Sequence, residues 1–214
     1  MSDSADAVSG AAAVFLDRDG VLNELVRDPV SGAPESPLAV YDVCLVDGVG
    51  AALARLQRAG FILVCASNQP AAAKGTVSLG QLRAVHARVL ELLAREGVHL
   101  AASRLCLHHP AGAVPELSGP CSCRKPAPGM LLDAALTLGL DLRAAWMVGD
   151  TDADVGAGRA AGVRTVLIDY PGSAHKRKGS SQADIRAPNI TLAVARMLEV
   201  GSRESETVAR ARHV

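Results

Sequence analysis

Aromatic side chains are nearly missing: Phe15, Tyr41, Phe61, Trp146 and Tyr170 are all that 214 residues contain. Single-stranded nucleic acid is bound on rows of such rings, so a stacking platform is excluded. Net charge is missing too. Twenty-two basic residues against twenty-two acidic ones leave no overall field to gather nucleic acid or an anionic membrane, so any preference for an anion must be local. No apolar run reaches the roughly 18 residues of a membrane span. Residues 1–10 hold two aspartates and no basic stretch, unlike a secretory signal. These absences predict a soluble, cytoplasmic chain with neither nucleic acid nor membrane as a partner, and a monomer is expected. An even set of dispersed cysteines is also lacking. Three of the five cysteines crowd into 106–123, a poor disulfide framework but a good start for a metal site in a reducing compartment.

What the chain does have is aliphatic bulk. At 49% hydrophobic and this length, it can build the core of one domain, which must consist of Ala, Val and Leu, and disorder is excluded. Apolar runs at 13–16, 61–66, 103–107, 144–148 and 163–168 predict strands. Between them lie helical stretches at 49–59, closed by Gly60, at 129–138, and a short one after 149. The clearest helix starts at Ser78 and Gln81, a capping-box pair, and shows Leu82, Val85, Val89, Leu92 and Leu93 at helical spacing before Gly97 stops it. Strands alternating with helices predict an α/β fold with a doubly wound, mostly parallel sheet covered on both faces. The expected organisation is one domain over 12–200 between flexible tails, 1–11 and 201–214. Cys44 and Cys65 are expected to pack as small hydrophobes. No internal repeat is visible. The turn-rich segment within 23–47, Asp28-Pro-Val-Ser-Gly-Ala-Pro-Glu-Ser-Pro37, should overhang the end of the first strand.

Chemistry-bearing residues gather where these strands end, which is where open α/β sheets hold their sites. Asp17 and Asp19 follow the first run; acids two apart can share a face and converge on one ion, although the same pattern fits a solvated turn. After the strand at 144–148 comes Gly149-Asp-Thr-Asp-Ala-Asp154. Three acids so close repel one another unless a cation or lysine neutralises them, and a hard divalent ion such as magnesium fits, while Thr151 or Asp152 could simply cap a helix. Ser67, Asn68 and Gln69 end a third strand. Cys106, His108, Cys121 and Cys123 make a four-ligand set for a closed, structural zinc site, with His109 as the alternative to His108. Arg124 and Lys125 come next, on a segment whose geometry that metal would fix. Lys176, Arg177 and Lys178 open a polar loop that can bind phosphate or merely be solvated. Two carboxylates, a hydroxyl, a lysine and a further carboxylate cluster together are the inventory for phosphoryl transfer through a covalent aspartyl intermediate.

Phe-Leu-Asp17-Arg-Asp19-Gly-Val, Ser67-Asn-Gln69, Lys125 and Gly149-Asp150-x-x-x-Asp154 stand in the order and spacing of the haloacid dehalogenase superfamily of phosphatases, which the chain resembles over roughly 12–170. More narrowly, Cys106-Leu-His108-His-Pro and Cys121-Ser-Cys123-Arg-Lys-Pro-Ala-Pro-Gly-Met, without a large cap insertion, resemble the branch that hydrolyses D-glycero-D-manno-heptose 1,7-bisphosphate. The related histidinol-phosphate phosphatases share the catalytic and zinc motifs. The resemblance implies an Mg2+-dependent phosphatase that removes the 7-phosphate of a sugar bisphosphate. Asp17 would be the nucleophile and Asp19 the acid and base. Mg2+ would lie between the Asp17 carboxylate, the Asp19 carbonyl and Asp150. Ser67 and Lys125 would hold the phosphoryl group, and Asn68 and Arg124 would orient the substrate. The chain departs from the branch at Gln69-Pro-Ala-Ala-Ala-Lys74-Gly, where Lys74 stands in place of a guanidinium and fork-like phosphate recognition is lost. The 23–47 loop is also longer. Other small phosphate esters as substrates, and a non-catalytic zinc-stabilised binding module, are the competing expectations.

Overall fold

The computed structural model describes residues 10–28, 31–179 and 182–211, the side chains of 204–211 excepted. Its strands are β1 (Ala13–Leu16), β2 (Val26–Arg27), β3 (Pro34–Glu35), β4 (Ile62–Asn68), β5 (Ala102–Cys106), β6 (Trp146–Gly149), β7 (Arg164–Ile168) and β8 (Ile185–Ala187). The helices are α1 (Val49–Arg58), α2 (Leu79–Arg95), α3 (Gly129–Leu138), α4 (Asp152–Ala161) and α5 (Ile190–Ala211). Six strands form one parallel sheet in the order β5-β4-β1-β6-β7-β8, while β2 and β3 pair as a short antiparallel hairpin. The chain goes from β1 to β4 and β5 on one side, then returns to β6 on the other. β1 therefore sits at the switch point, and the ends of β1, β4 and β6 open into one crevice.

The apolar runs form strands because both of their faces are buried. Along β1 the faces alternate: Val14 and Leu16 join the core beneath α1, α2 and α5, and Ala13 and Phe15 join the core on the α3 side. In β6 the single tryptophan, Trp146, is buried, with the Arg164 guanidinium 4.2 Å above its ring. A cation over the face of an indole is attracted by the ring quadrupole. Helices α3 and α4 both stop on glycines in the left-handed region, Gly139 and Gly162, which close the last turn without a Cβ penalty.

Four expectations need correcting. Only half of the capping box forms: Ser78 accepts the Gln81 N–H, but the Gln81 side chain donates to the carbonyl of Leu38 instead of turning back. Cys65 is in the core, whereas Cys44 is exposed, since the segment after the 3-10 turn at Val40–Asp42 runs outside the sheet. β8 and α5 were not anticipated. α5 buries Ile190, Ala193, Val194 and Met197 at helical spacing, then continues as polar helix, so regular structure runs to Ala211 and the boundary expected at 201 does not end it. At the other end Ala11 bridges Leu140, which brings the expected N-terminal tail into the fold from that residue; 1–9 lie outside the described residues. No described helix is long and apolar enough to cross a membrane.

Leu53 of α1 is fully buried against the sheet. Leu53→Ala should cost about 2–5 kcal/mol through lost transfer and a residual cavity, measured as a lower urea midpoint with an unchanged slope.

Candidate active site

Three strand ends meet at Lys125. Asp17 leaves β1 with its N–H on the Val148 carbonyl at 2.9 Å. Asp154, in the first turn of α4, accepts from the Thr151 N–H and hydroxyl at 3.0 and 2.6 Å, so the acid closes the helix start reciprocally. The Lys125 ammonium lies 3.0 Å from Asp17 Oδ1 and 2.5 Å from Asp154 Oδ1, and donates to the Ala66 carbonyl of β4 at 2.7 Å. It is 3% exposed. A charge buried to that degree is stable only when paired and fully hydrogen-bonded, as here. Burial alone would push Lys125 down, but the Asp154 and Asp17 carboxylates outweigh it and hold its pKa above the ordinary value.

Asp17, Asp150 and Asp154 present carboxylate oxygens within 4.8 Å of one another. One lysine does not balance three acids. Burial, against the pull of Lys125, raises Asp17, and burial with the neighbouring Asp154 and Asp17 charges lifts Asp150 to about 8. Asp150 Oδ1 is buried without a hydrogen-bond partner. Gly20, at φ 82°, passes so close that a Cβ there would meet Asp150 Oδ2 at 2.2 Å. An orphaned oxygen among crowded carboxylates suits a hard divalent cation held by Asp17 and Asp150. Asp154 is already committed to Lys125 and Thr151.

Asp19 does not converge with Asp17 as the spacing suggested. Its carboxylate turns to a separate set of donors: Arg18 Nε and Nη2 at 3.1 Å each, Asn23 Nδ2 at 2.9 Å, Ser36 Oγ at 2.8 Å and Gln69 Nε2 at 2.7 Å. Burial pushes its pKa up. The Arg18 guanidinium and the bonds from Gln69, Arg18 and Asn23 outweigh that effect and keep the carboxyl below its usual range. The reason for the split is that the chain turns sharply after β1, with the Leu22 and Asn23 N–H groups on the Arg18 carbonyl. Position along an extended strand therefore no longer governs direction.

Of the β4 trio, the Ser67 hydroxyl pulls the Asp17 pKa down against the effect of burial and accepts from Gln69 Nε2 at 3.1 Å. Asn68 bonds the Lys125 backbone twice, giving its Nδ2–H to the carbonyl and accepting the N–H at its Oδ1, both at 3.0 Å. It thus clamps the lysine rather than being left free for a ligand. Arg124 donates to the His108 carbonyl at 3.1 Å.

Behind this segment, Cys106, His108, Cys121 and Cys123 gather their ligand atoms within 4.8 Å. The three sulfurs are 3.2–3.7 Å apart, and His108 Nδ1 is 3.5 and 3.9 Å from Cys123 and Cys106. Edges near 3.8 Å are what about 2.3 Å zinc–sulfur bonds impose on a tetrahedron, so the donor set fits zinc. His108, not His109, faces the thiols; His109 Nδ1 accepts from the Ala111 N–H.

The crevice is a cavity of about 630 Å3 lined by Asp17, Asp19, Ser67, Asn68, Gln69, Arg124, Lys125, Asp150 and Asp154. Lys74 and Lys176 reach it from two further loops, and Asp28, Ser31, Glu35, Ser36 and Leu38 come from the hairpin loop. That loop does overhang the site as expected, tied down by Tyr170, whose hydroxyl donates to Glu24 and accepts the Leu25 N–H; Pro29 and Val30 lie outside the described residues. The basic triplet divides. Lys176 lines the cavity, Arg177 Nη1 donates to the Asp150 carbonyl at 3.0 Å, and the Lys178 N–H donates to Asp152. Three residues of the site went unassigned in the sequence: Asp154, Gln69 and Ser36. The alternation of β4, which puts Ser67 and Gln69 on one face, was a usable signal for Gln69. Ser36 had none.

A family model described as HAD-hydrolase-like matches residues 122–193. The chain is 37% identical over 172 residues to the D-glycero-beta-D-manno-heptose-1,7-bisphosphate 7-phosphatase of Yersinia pestis, which covers 80% of this chain and 87% of that protein. The protein of the same name from Rhodopseudomonas palustris is 36% identical over 151 residues, 71% and 79% of the two chains. The crystal structure of D,D-heptose 1,7-bisphosphate phosphatase from B. bronchiseptica, complexed with magnesium and phosphate, has a TM-score of 0.72 at 27% identity, with 88% and 98% covered.

The raised Asp150 has a testable consequence. The folded chain keeps its proton up to about 8, while the unfolded chain loses it near 3.8, so the folded state binds more protons in that window and its cation-free stability falls as pH rises through it. Asp150→Asn should raise cation-free stability at pH 8 by about 5 kcal/mol and flatten the slope, read from urea midpoints between pH 4 and 9.

Proposed function

The chain belongs to the heptose 1,7-bisphosphate phosphatase family of haloacid dehalogenase-like hydrolases, and on that premise we propose that it is an Mg2+-dependent phosphatase that removes the 7-phosphate of D-glycero-D-manno-heptose 1,7-bisphosphate. The observation that carries this reading is the buried cluster of Asp17, Asp150 and Asp154 around Lys125 at the switch point. A cavity of about 630 Å3 is within the range of small-molecule sites.

In the first half-reaction Asp19, which takes up a proton as the phosphate dianion enters beside it, gives that proton to the departing sugar oxygen while an Asp17 oxygen bonds to phosphorus in line and the phosphorus–sugar oxygen bond breaks. In the second, water attacks the same phosphorus, the bond to Asp17 breaks, and Asp19 takes up the proton. Inorganic phosphate leaves and both acids return to their starting forms. Ser67 holds a transferring oxygen, and the Lys125 ammonium joins it by turning to the phosphoryl group the hydrogen that faces Asp17 in this structure. Asn68 acts on the reaction through the Lys125 backbone it clamps. Asp17, Asp150 and the Asp19 carbonyl would hold Mg2+, which would supply the positive charge that lets a carboxylate and a phosphoryl dianion approach each other. Arg124 lines the cavity together with Lys74 and Lys176, and these cations are the recognition set for the remote phosphate. Cys106, His108, Cys121 and Cys123 would hold Zn2+ and so fix the loop that ends in Arg124 and Lys125.

A panel of both anomers of the bisphosphate, histidinol phosphate and simpler esters should show Mg2+-dependent release of one phosphate, fastest from a heptose bisphosphate. Asp17→Asn should lower kcat by about 10^4-fold or more. No turnover of any ester by metal-loaded protein overturns the reading. Chelation of zinc should lower Tm and weaken turnover, since structural zinc contributes on the order of 10 kcal/mol to ordering its loop; an unchanged Tm and rate in Cys121→Ser removes the zinc assignment.

A further inference from the structure

Gln69 is 2% exposed at the end of β4, yet the chemistry above leaves it without a task. Its Nε2 lies 2.7 Å from Asp19 Oδ2 and 3.1 Å from Ser67 Oγ. A primary amide nitrogen carries two hydrogens, and here each has an acceptor. The carboxylate decides which way round the amide sits, because the amide oxygen in the same place would repel it. Since Ser67 Oγ accepts from Gln69, its single hydrogen is left for another oxygen. The Asp17 carboxylate lies next to that hydroxyl, which lowers the carboxyl pKa against the effect of burial.

The other donors to Asp19 do not give the same fixed reference. Arg18 and Asn23 belong to the same turn as Asp19 and move with it. Ser36 sits on a loop whose described regular structure is two two-residue strands and a short 3-10 turn. Gln69 alone among the described donors ties Asp19 to the central sheet, and its own N–H donates to the Cys106 carbonyl at 2.7 Å, within the metal-ligand cluster. One amide therefore sets the spacing between the acid–base carboxylate and the phosphate-holding hydroxyl.

We propose that Gln69 is a positioning residue: it holds the Asp19 carboxylate where it receives the proton of the attacking water, and turns the Ser67 hydroxyl onto the phosphoryl group. The proposal rests on the phosphatase reading above. In the step concerned, the water oxygen bonds to phosphorus, the phosphorus–oxygen bond to Asp17 breaks with its electron pair returning to the carboxylate, and the proton passes to Asp19.

The test uses p-nitrophenyl phosphate, whose leaving group needs little protonation, so that decay of the Asp17 phosphoenzyme can be followed separately from its formation. Gln69→Met keeps the chain length and removes both donors. Decay should slow about tenfold, part of the 10^2 to 10^4 that acid–base groups supply, with more phosphoenzyme trapped by acid quench and KM moving less than kcat. In an Asp19→Asn background the same change should slow decay clearly less than in the wild-type protein, about threefold, because only the part that acts through Ser67 is left. Gln69→Glu, which sets an oxygen against Asp19, should slow decay at least as much and covers the case in which the methionine variant fails to fold. Unchanged decay, or equal losses in both backgrounds, overturns the proposal and leaves the phosphatase reading intact. No turnover by the wild-type protein overturns both.

Discussion

A single ammonium group organises the site. Lys125 is sealed from water between Asp17 and Asp154, and it reaches Ala66 on a third strand end. Removing such a cation would leave two buried carboxylates uncompensated, a far larger penalty than losing an exposed ion pair. The lysine also decides which acid does what. By occupying Asp154 it withdraws that residue from cation binding, and the surplus negative charge falls on Asp17 and Asp150, the two acids whose pKa values are raised.

Holding that lysine is the task of segments far from it in sequence. Asn68 clamps its backbone across 57 positions. The metal loop delivers it two residues after Cys123, with Arg124 bonded to the His108 carbonyl and Gln69 to the Cys106 carbonyl. The loop over 106–123 is therefore more than a surface staple. It is the bracket from which cavity-lining residues of two loops hang, so their ordering entropy is lost on folding instead of on binding.

The strands of the core were legible because burial on both faces writes a continuous apolar run, and the first three helices because of their caps and stops. The Cys106, His108, Cys121 and Cys123 set was legible from ligand chemistry, with His109 left open beside His108, whereas Asp17, Asp150 and Lys125 stood out through the family motifs. What local spacing does not encode is pairing. Asp19 and Gln69 are 50 positions apart, and only the β1–β4 register brings them together. The same holds for Asp154, whose acid reads as one of three equals until Lys125 takes it. Cys44 misled because a small apolar residue carries no sign of whether its segment joins the core. α5 did carry the apolar spacing of a buried helix, but its polar second half outweighed that signal.

Trp146 gives the molecule an optical consequence. It is the chain's sole indole, buried under a guanidinium in the strand that leads to Asp150. Intrinsic emission excited at the red edge of its absorption therefore reports from one known place, the central sheet, with no averaging over fluorophores. Because the zinc loop contains no tryptophan or tyrosine, its loosening would be silent in that emission while remaining visible to thiol reagents. The two signals together separate melting of the bracket from melting of the sheet without any label.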